Sequence, residues 1–478
     1  MNDVIIIGCG IIGAAAMYEL SKYKLDILCL EAENDVSTGT TKANSAILHA
    51  GYDPEPGSLM AKLNVEGVRL AKDLCFKLDV PYRRTGSFVL GFNNDDVAKL
   101  WELYNNGIAN GLEELAILDG DEVRRREPNI SKDVIAALYA PQAAIVSPWE
   151  YALALAETGM KNGAKLALNT RVLAIDKLDV GFRVHTDNGD YEAKTIINAA
   201  GVHSDEIHNM VANPTFTIEP SRGEYYLLDK SEGATVNSVI FKCPNKDGKG
   251  VLVAPTVHGN LIVGPNAETS QRDSVANTAE GLEYVSRMAA ISVPSVNMRA
   301  SIRNFAGVRA NSDKKDFIIE RAASGFIDLA GIKSPGLSAA PAIAIYACEL
   351  LKAEGVLFAK KESFIDTREH ICFFELSAEK KQALVAAQPA YGKVICRCET
   401  ITEGEILACM ASPIPPVSVD GVKRRVRAGM GRCQGGFCGP RVLEILARER
   451  KVADTDIMQD TKGTFILTGK TKGGADNV

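Results

Sequence analysis

The first thirteen residues constrain the fold more strongly than any other stretch of this chain. VIIIGCGIIG, residues 4–13, places Gly8, Gly10 and Gly13 at G-x-G-x-x-G spacing directly after a continuous β-branched run. Such a run is typical of a parallel strand that is buried on both faces. In a dinucleotide fold the first glycine permits the turn, the second lets the backbone approach the pyrophosphate, and the third lets helix and strand pack closely. The stretch therefore predicts a strand, a tight turn and the start of a helix.

A second strand and an acid follow this turn. Residues 14–22 predict a helix, and LDILCLE, residues 25–31, predicts a strand that ends in Glu31. A carboxylate about 20 residues after the glycines can accept hydrogen bonds from ribose hydroxyls. A lone G-x-G-x-x-G is often only a turn, whereas strand, helix, strand and acid together predict nucleotide binding. These residues leave the choice of nucleotide open.

Composition and charge exclude several classes of protein. The 54 basic and 60 acidic residues give a net charge of −6, so no global field attracts nucleic acid or anionic lipid. No uninterrupted apolar run reaches the roughly 20 residues of a membrane span, and the chain enters a predicted strand too early for a signal peptide. We therefore expect a cytoplasmic protein without a transmembrane segment, which associates with a membrane only through a partner.

The eleven cysteines fall into two groups. In a cytosolic chain this number indicates thiols or metal ligands rather than a disulfide framework. Six stand singly, where small buried hydrophobic residues are expected: Cys9, Cys29, Cys75, Cys243, Cys348 and Cys372. The other five crowd into residues 396–438, after AAQPAYGK, whose proline and glycine suit a linker. We predict a domain boundary near residue 390.

Two kinds of segment alternate before that boundary. Residues 82–92 and 222–265 are rich in strands and turns, whereas βα patterns return at two later stretches. AKTIINAAGVHSD predicts a buried strand that runs into a turn at Ala200 and Gly201. FIDLAGIKSPGLSAAPAIAIYACELL predicts a strand, a glycine-rich turn and a long helix, whose N-terminus can face an anionic or electron-rich group. The fold class is α/β: a Rossmann-like domain interleaved with an antiparallel-sheet α+β domain, followed by a small helical C-terminal domain.

Together, these stretches and the opening motif resemble the D-amino-acid-oxidase-like family of FAD-dependent oxidoreductases, over residues 1 to about 370. The resemblance implies that the nucleotide is FAD. Within the family, KANSAILHAGYDPEPGSLMAKL, SRGEYYLL, GNLIVGPNAE and IRNFAGVRA resemble the branch of L-2-hydroxyglutarate dehydrogenases and FAD-dependent glycerol-3-phosphate dehydrogenases. Both substrates are anionic secondary alcohols. The resemblance therefore implies hydride transfer from the carbinol carbon to the flavin, while a base takes the hydroxyl proton.

The resemblance also assigns site residues. The expected cofactor contacts are Gly8, Gly10, Ile12, Gly13, Glu31, Ala32, Thr41, Asn44, Ser45, Val172, Ala200, Gly201, Gly331, Gly336 and Leu337. The expected catalytic residues are His49, Arg309, Lys333 and Arg222. His203, just after the NAAG turn, is a further candidate for contact with the cofactor.

Most of the catalytic assignments have a structural alternative. His49, in AILHAGYD, can accept the hydroxyl proton because histidine titrates near neutral pH, or it can simply be hydrogen-bonded in a packed loop. Arg309 can grip a carboxylate or phosphate bidentately, or it can cap a strand end. Lys333 can stabilise the negative charge of reduced flavin or bind substrate. Arg222 can reach the same pocket or form a salt bridge at a domain junction.

Four C-terminal cysteines have the spacing of metal ligands. Residues two apart in an extended stretch face the same side, so Cys396 and Cys398 can reach one metal centre together. Cys433 and Cys438 flank a glycine-rich loop that can fold around it. Four thiolates fit a [2Fe–2S] cluster or a structural zinc, and the C-x-C spacing favours iron–sulfur because zinc usually takes C-x2-4-C. Cys409 falls in the intervening helical pattern and is expected in the core.

VICRCETITEGEI and VRAGMGRCQGGFCGPRVLEIL are similar to the bacterioferritin-associated-ferredoxin-like [2Fe–2S] domain, especially the form fused to catalytic subunits of anaerobic glycerol-3-phosphate dehydrogenases. This resemblance implies a [2Fe–2S] cluster that passes electrons to a flavoprotein or another redox subunit. The basic run KRRVR, residues 423–427, is interpreted as charge that offsets the thiolates, with a solvated surface or a docking patch for an acidic partner as the alternative. Nucleic-acid binding has little support, because no aromatic platform accompanies the run.

The sequence therefore predicts an FAD-dependent dehydrogenase for a small anionic secondary alcohol, in the first place sn-glycerol 3-phosphate oxidised to dihydroxyacetone phosphate. L-2-Hydroxyglutarate is the alternative substrate, and amine oxidation ranks third. The alternatives of another class are a non-catalytic electron-transfer subunit and a zinc-stabilised regulatory protein. The predicted domains are 1–82, 146–215 and 325–370 for FAD, 83–145 and 216–324 for substrate, 371–390 as linker, 391–450 for the cluster and 451–478 as tail.

Overall fold

The computed structural model describes residues 1–244 and 250–469. Its chain divides into two compact units. The first comprises Met1–Ala32 and Val36–Arg368, and the second comprises Glu33–Asp35 and the chain from Glu369 onward. This division lies before residues 371–390, which the sequence predicts as a linker. The predicted domain ranges themselves stay a prediction.

Element labels follow chain order over the described residues. The strands are β1 Asn2–Ile7, β2 Ile27–Leu30, β3 Ile47–Leu48, β4 Tyr82–Arg84, β5 Ser87–Gly91, β6 Ala116–Asp119, β7 Ala136–Ala140, β8 Ala144–Val146, β9 Lys165–Ala167, β10 Val172–Lys177, β11 Phe182–Thr186, β12 Gly189–Asn198, β13 Ser221–Leu228, β14 Val239–Lys242, β15 Leu252–Pro255, β16 Leu261–Gly264, β17 Glu268–Thr269, β18 Ser301–Arg309, β19 Ile318–Ala323, β20 Phe326–Ala330, β21 Val394–Cys396 and β22 Ile401–Thr402. The helices are α1 Ile11–Leu20, α2 Leu59–Lys77, α3 Asn94–Ala109, α4 Gly120–Arg126, α5 Pro148–Lys161, α6 Ser204–Asn209, α7 Ala279–Ser292, α8 Gly336–Ala353, α9 Ala378–Ala387, α10 Glu403–Met410, α11 Val419–Val426 and α12 Gly439–Arg450.

The first unit contains the sheet that carries the glycine turn. Its strand order is β10-β11-β12-β1-β2-β9, with β20 also paired to β12 and β19 to β20. β1 lies parallel to β2 and β12, and residues 4–7 are buried, as the continuous apolar run predicts. α1 packs against α5 and α8 through a buried run of small residues, 13–16. It begins at Ile11 rather than at residue 14, because Gly10 already acts as its N-cap.

By length and composition, α8 is the one helix among the described residues that could cross a membrane. In the structure 61% of this stretch is buried inside the protein, where α8 packs against α1 and α2. The core helix of a folded domain passes the same test of length and hydropathy.

A second sheet in the same unit has the order β17-β13-β16-β15-β14-β5-β7-β6, with β18 paired to β13. The described pairings are antiparallel except for β5 with β14, in accord with the predicted antiparallel-sheet domain. The long pair of β13 and β18 places Ser221 opposite Arg309 and Gly223 opposite Gly307. This register decides which residues of the two strands share a face.

The second unit is a small helical fold. β21 and β22 pair antiparallel, and α10, α11 and α12 follow around a core that includes Ile406, Val422 and Leu446. Thr402 and Glu405 form a capping box at the start of α10. The predicted linker contains α9, whose N-cap Ser377 accepts a hydrogen bond in the first turn. The stretch predicted as a linker therefore contains a short capped helix.

Candidate functional site

The glycine turn has no room for side chains at two of its positions. Gly8 has a φ of +95°, and a Cβ there would lie 2.6 Å from the Ala199 carbonyl oxygen. A Cβ at Gly13 would collide with the Gly8 carbonyl oxygen. Gly10 is the N-cap of α1, whose first turn, IIGA, carries uncharged side chains. The N–H groups and the helix dipole at this end therefore favour an anion.

Glu31 and Thr41 lie beside this turn. The buried Glu31 carboxylate accepts a hydrogen bond of 2.8 Å from the Cys9 N–H. The Thr41 hydroxyl accepts one of 3.0 Å from the Ile11 N–H, at the start of α1. A carboxylate at the end of β2 and a hydroxyl at the helix start suit the ribose and the pyrophosphate of a dinucleotide, respectively. Ala32 and Ile12 adjoin these residues in the chain.

The other expected cofactor contacts come from distant segments. Ala200 and Gly201 follow Ala199, the residue that packs on Gly8. The Thr170 N–H donates to the Glu31 carbonyl at 2.8 Å, which brings the start of β10, Val172, towards the same end of the sheet. Gly331 follows β20, and Gly336 and Leu337 begin α8.

The loop that holds Asn44 and Ser45 contacts the second sheet. The Asn44 amide donates to the Thr41 carbonyl at 2.8 Å, and its oxygen accepts from the Ala46 N–H at 2.8 Å. Ser45 Oγ lies 3.2 Å from the Tyr225 hydroxyl on β13. The nucleotide side and the second sheet of the first unit therefore meet at this loop.

His49 lies where two turns distant in the chain come together. Its backbone N–H donates to Ser338 Oγ at 2.7 Å, and its Nε2 lies 3.3 Å from Ser334 Oγ. Its ring stacks on Phe241 of β14, with the centroids 5.7 Å apart. One small cavity is lined by His49, Gly51, Tyr52, Asp53, Pro54, Ser334 and Pro335. A hydroxyl and an aromatic ring therefore orient the imidazole beside a cavity.

Arg309 shares a face with Tyr225. Side chains alternate along β13, so Ser221, Gly223 and Tyr225 lie on one face. The Arg309 guanidinium lies across Gly223, where a Cβ would be 3.0 Å from its Cζ. Its Nη1 donates to Ser221 Oγ at 3.3 Å, and its Nη2 donates to a backbone carbonyl at 3.0 Å. Because Tyr225 reaches Ser45, this face is turned towards the predicted flavin loop.

Arg222 lies on the opposite face of β13. Its Nη2 is 2.9 Å from Glu224 Oε1. Glu224 is fully buried and also accepts hydrogen bonds from the N–H and the hydroxyl of Thr278. Residues 222 and 224 alternate with 221 and 223, so the structure does not bring Arg222 to the face of Arg309. The salt bridge, which the sequence left as the alternative, is the observed contact.

Lys333 and His203 lie in the two later turns and have contacts of their own. Lys333 lies between β20 and α8, and its Nζ is 3.3 Å from the Lys314 carbonyl oxygen. His203 Nδ1 lies 2.9 Å from Glu206, and its Nε2 lies 3.5 Å from Asp273. Two carboxylates therefore face the His203 ring.

The four C-terminal thiols form two pairs in the second unit. Cys398 Sγ lies 3.6 Å from Cys433 Sγ, and the Cys438 thiol donates a hydrogen bond to Cys396. That hydrogen bond lowers the pKa of Cys396 to about 6, and a backbone hydrogen bond from Phe437 lowers the pKa of Cys433. In each pair the pKa of one thiol is therefore lowered, and the thiolate is the form that binds metals. Cys409 is buried, as expected, apart from both pairs.

The basic run at residues 423–427 is largely buried. Arg424 and Arg425 lie 3.0 Å and 2.9 Å from the Asp35 carboxylate, and Arg424 also lies 2.7 Å from Asp460. Although burial acts to raise the pKa of Asp35, Arg425 and Arg424 hold it below its ordinary value. The expectation of a solvated or thiolate-offsetting patch is therefore wrong for these two arginines, because carboxylates of the same unit already balance their charge.

Comparison with known families shows which family this chain belongs to. Residues 3–350 match the family described as FAD dependent oxidoreductase, and residues 394–448 match the BFD-like [2Fe-2S] binding domain. The chain belongs to the FAD-dependent oxidoreductase family. Its first unit holds the family match with the glycine turn, and its second unit holds the match with the four thiols.

Three relatives of this oxidoreductase are informative. Glycerol 3-phosphate dehydrogenase of Caloramator mitchellensis is 50% identical over 476 residues, which cover 99% of each chain. L-2-Hydroxyglutarate dehydrogenase of Escherichia coli (strain K12) is 32% identical over 273 residues, 56% of this chain and 64% of its own. The solved L-α-glycerophosphate oxidase of Mycoplasma pneumoniae with FAD bound is 32% identical, with a TM-score of 0.73 over 77% of this chain and 98% of its own.

FAD fits the glycine turn of this oxidoreductase. The turn can form because Gly8 and Gly13 lack side chains, which would collide with the Ala199 and Gly8 carbonyl oxygens. The start of α1 presents N–H groups for the pyrophosphate, and the Glu31 carboxylate, held at 2.8 Å by the Cys9 N–H, suits the ribose. These residues belong to the first unit.

A two-iron cluster fits the four thiols of the second unit. The thiols form two pairs, Cys398 with Cys433 and Cys396 with Cys438, and two pairs suit two irons that each take two thiolates. The cluster is therefore [2Fe–2S], as the domain match indicates.

Sequence reasoning missed the partners of two predicted site residues. Phe241, Ser334 and Ser338 orient His49, and Ser221 holds Arg309. Each of these partners is distant in the chain from the residue it contacts. Only Ser334 and Ser338 carried a signal, since they lie in the glycine-rich turn and helix start that the sequence singled out.

Proposed function

We propose that this protein oxidises sn-glycerol 3-phosphate to dihydroxyacetone phosphate and passes the electrons through its [2Fe–2S] cluster to a separate redox protein. The observation that carries the proposal is the 50% identity to a glycerol 3-phosphate dehydrogenase over 99% of both chains. That similarity spans both units, so it includes the electron exit as well as the flavin site. We infer a cytoplasmic location, with any membrane association made through the redox partner.

His49 is the base in this proposal. Its Nε2, 3.3 Å from Ser334 Oγ, takes the proton of the substrate hydroxyl, while stacking on Phe241 keeps the ring in place. FAD, held at the glycine turn, would supply the hydride acceptor, and a [2Fe–2S] cluster, held by Cys396, Cys398, Cys433 and Cys438, would supply a one-electron carrier. A histidine suits this task because an ordinary imidazole can take up and release a proton near neutral pH.

Arg309 is the anchor for the substrate phosphate. Its guanidinium is fixed by Ser221 Oγ and a backbone carbonyl, which leaves its planar N–H edge oriented on the face of Tyr225. Lys333, in the turn that reaches His49 through Ser334, adds positive charge near the reacting centre. Arg222 takes no part in binding, because its charge is paired with Glu224.

L-2-Hydroxyglutarate is the competing substrate, because a carboxylate and a phosphate use the same arginine. The similarity to its dehydrogenase covers only 56% of this chain, at 32% identity. Anaerobic stopped-flow mixing of the FAD-replete protein with each substrate separates the two. We expect fast loss of flavin absorbance with glycerol 3-phosphate. Reduction only by L-2-hydroxyglutarate would move the assignment to that substrate, and no reduction by either would favour a non-catalytic electron-transfer subunit.

A further inference from the structure

One edge of the cluster site is open to solvent. Cys398 and Cys433 are exposed, whereas Cys396 and Cys438 are buried. The two pairs therefore lie at different depths: Cys396 and Cys438 are buried, and the contact between Cys398 and Cys433 lies at the surface. An electron that leaves the cluster has its shortest path to a partner through this edge.

An exposed cation–π pair stands at the same edge. Arg397 lies between the two cysteines of C-x-C, and Phe437 directly precedes Cys438. The Arg397 guanidinium carbon is 4.7 Å from the Phe437 ring centroid, and Phe437 is 60% exposed. Aromatic residues and arginine are the types enriched in protein interfaces and their energetic centres. Stacking also leaves the guanidinium edge able to bind a carboxylate.

The charge of the two ligand loops is positive at the surface. Residues 394–400 and 429–440 contain the exposed Arg397 and Arg432. Glu399 is the acid of these loops, and its side chain is only 4% exposed and pairs with Arg427 at 3.1 Å. The chain as a whole carries −6, so this edge differs in sign from the average surface. A partner with carboxylates around its own redox centre complements it.

We propose that Arg397, Arg432 and Phe437 form the docking surface for an acidic one-electron redox protein. In each encounter the reduced cluster loses one electron across the edge of Cys398 and Cys433, and the partner gains it. Two encounters remove the two electrons of one substrate oxidation. The inference rests on the proposed function only for the source of those electrons.

The test uses two small haem proteins of opposite charge, acidic cytochrome b5 and basic cytochrome c, as electron acceptors of the full-length holoenzyme. The cluster is reduced either by glycerol 3-phosphate or photochemically, and its reoxidation is followed by stopped flow. We expect faster reoxidation by cytochrome b5 than by cytochrome c at low salt, with a rate constant that falls as salt rises.

Matched variants locate the surface. We expect Arg397→Gln with Arg432→Gln to lower the rate constant with cytochrome b5 about tenfold at low salt, and Phe437→Ala to lower it at all salt concentrations. Phe374→Ala and Lys381→Gln are the controls, because that exposed ring and cation form a similar pair in the same unit. Both controls are expected to keep the wild-type rate.

Visible absorbance of each variant verifies that the cluster is present, and Phe437→Leu replaces Phe437→Ala if the cluster is lost. Charge reversal, Arg397→Glu with Arg432→Glu, is expected to make cytochrome c the better acceptor. Rates with cytochrome b5 within twofold of wild type in both arginine variants would overturn the proposed surface. Failure of glycerol 3-phosphate to reduce the protein would count only against the proposed function, because photochemical reduction still tests the docking step.

Discussion

Arg222 and Arg309 carry the same side chain and lie at the same end of the β13–β18 pair, yet the structure places them on different faces. Arg309 crosses Gly223 towards the flavin loop, whereas Arg222 turns to the buried Glu224. The two arginines are separated because successive side chains along β13 point to opposite faces of the sheet. A substitution at each position therefore tests a different property.

Arg309→Gln is expected to raise the KM for glycerol 3-phosphate on the order of 100-fold, because two charge-assisted hydrogen bonds to the phosphate are lost. Its melting temperature should stay near that of wild type. Arg222→Gln should leave KM within a few-fold but lower the free energy of unfolding by about 3 kcal/mol, since buried Glu224 loses its ion pair. Steady-state kinetics measure the KM of each variant, and urea unfolding measures its free energy of unfolding. A large KM effect from Arg222→Gln alone would reverse the two assignments.

His49→Asn is expected to slow flavin reduction by substrate about 10²- to 10⁴-fold, the usual contribution of a general base. FAD content should not change, because the glycine turn is untouched. His185→Asn is the control, since His185 lies on β11 between Asp176 and Asp190, away from the cavity. Single-turnover stopped flow gives the rate. A His49→Asn rate within threefold of wild type would show that another group takes the proton.

At the scale of elements, α11 is held by charges that come from outside it. Its residues Arg424 and Arg425 are buried against Asp35, which lies in the short segment Glu33–Asp35 of the second unit. Asp460 completes the cluster. A buried ion pair is costly to break because the remaining charge loses its compensation.

Asp35→Asn is therefore expected to lower the free energy of unfolding at pH 7 by about 3 kcal/mol. The pKa of Asp35 is depressed in the folded protein, so its stabilisation is present above the unfolded carboxyl pKa of about 4. That stabilisation is lost as pH falls through the folded pKa. The gap between wild type and Asp35→Asn should accordingly narrow in acid.

Thermal unfolding between pH 7 and pH 3 measures this gap. Asp366→Asn is the control, because the exposed pair of Asp366 with Lys77, at 2.7 Å, is worth less than about 1 kcal/mol. A gap for Asp35→Asn that is no larger than for Asp366→Asn, or that widens in acid, would contradict the stabilising role of Asp35.

At the scale of the whole molecule, the chain combines a flavin unit and a cluster unit whose site residues do not overlap. The glycine turn, His49 and Arg309 belong to the first unit, and the four thiols belong to the second. Substrate oxidation and electron exit should therefore be separable by mutation.

Cys398→Ser is expected to lose most of the cluster while glycerol 3-phosphate still reduces the flavin at a rate close to wild type. Cys409→Ala is the control, because the Cys409 thiol bonds the Ile406 carbonyl and lies in the core rather than in a thiol pair. Iron content, visible absorbance and flavin stopped flow are measured on both. Full iron content in Cys398→Ser, or loss of iron in Cys409→Ala, would refute the ligand set.

Local sequence determined the parts of this protein whose physics is local. The β-branched run and the glycine spacing predicted β1, its turn and α1, because a buried parallel strand and a phosphate turn impose strict demands on neighbouring residues. The C-x-C and C-x4-C spacings predicted the cysteine module, because ligands of one metal centre also impose strict demands on the spacing of neighbouring residues. Resemblance extended these motifs to a family, and the family match confirms it.

Tertiary structure alone decided how distant residues meet. His49 stacks on Phe241, and Arg222 pairs with Glu224. The basic run pairs with Asp35, which is distant from it in the sequence. Such pairings depend on strand register and on which faces of packed elements oppose each other. The sequence KRRVR shows that these residues are charged but not whether they are buried. A solvated basic patch and a buried cluster of ion pairs therefore have the same sequence pattern.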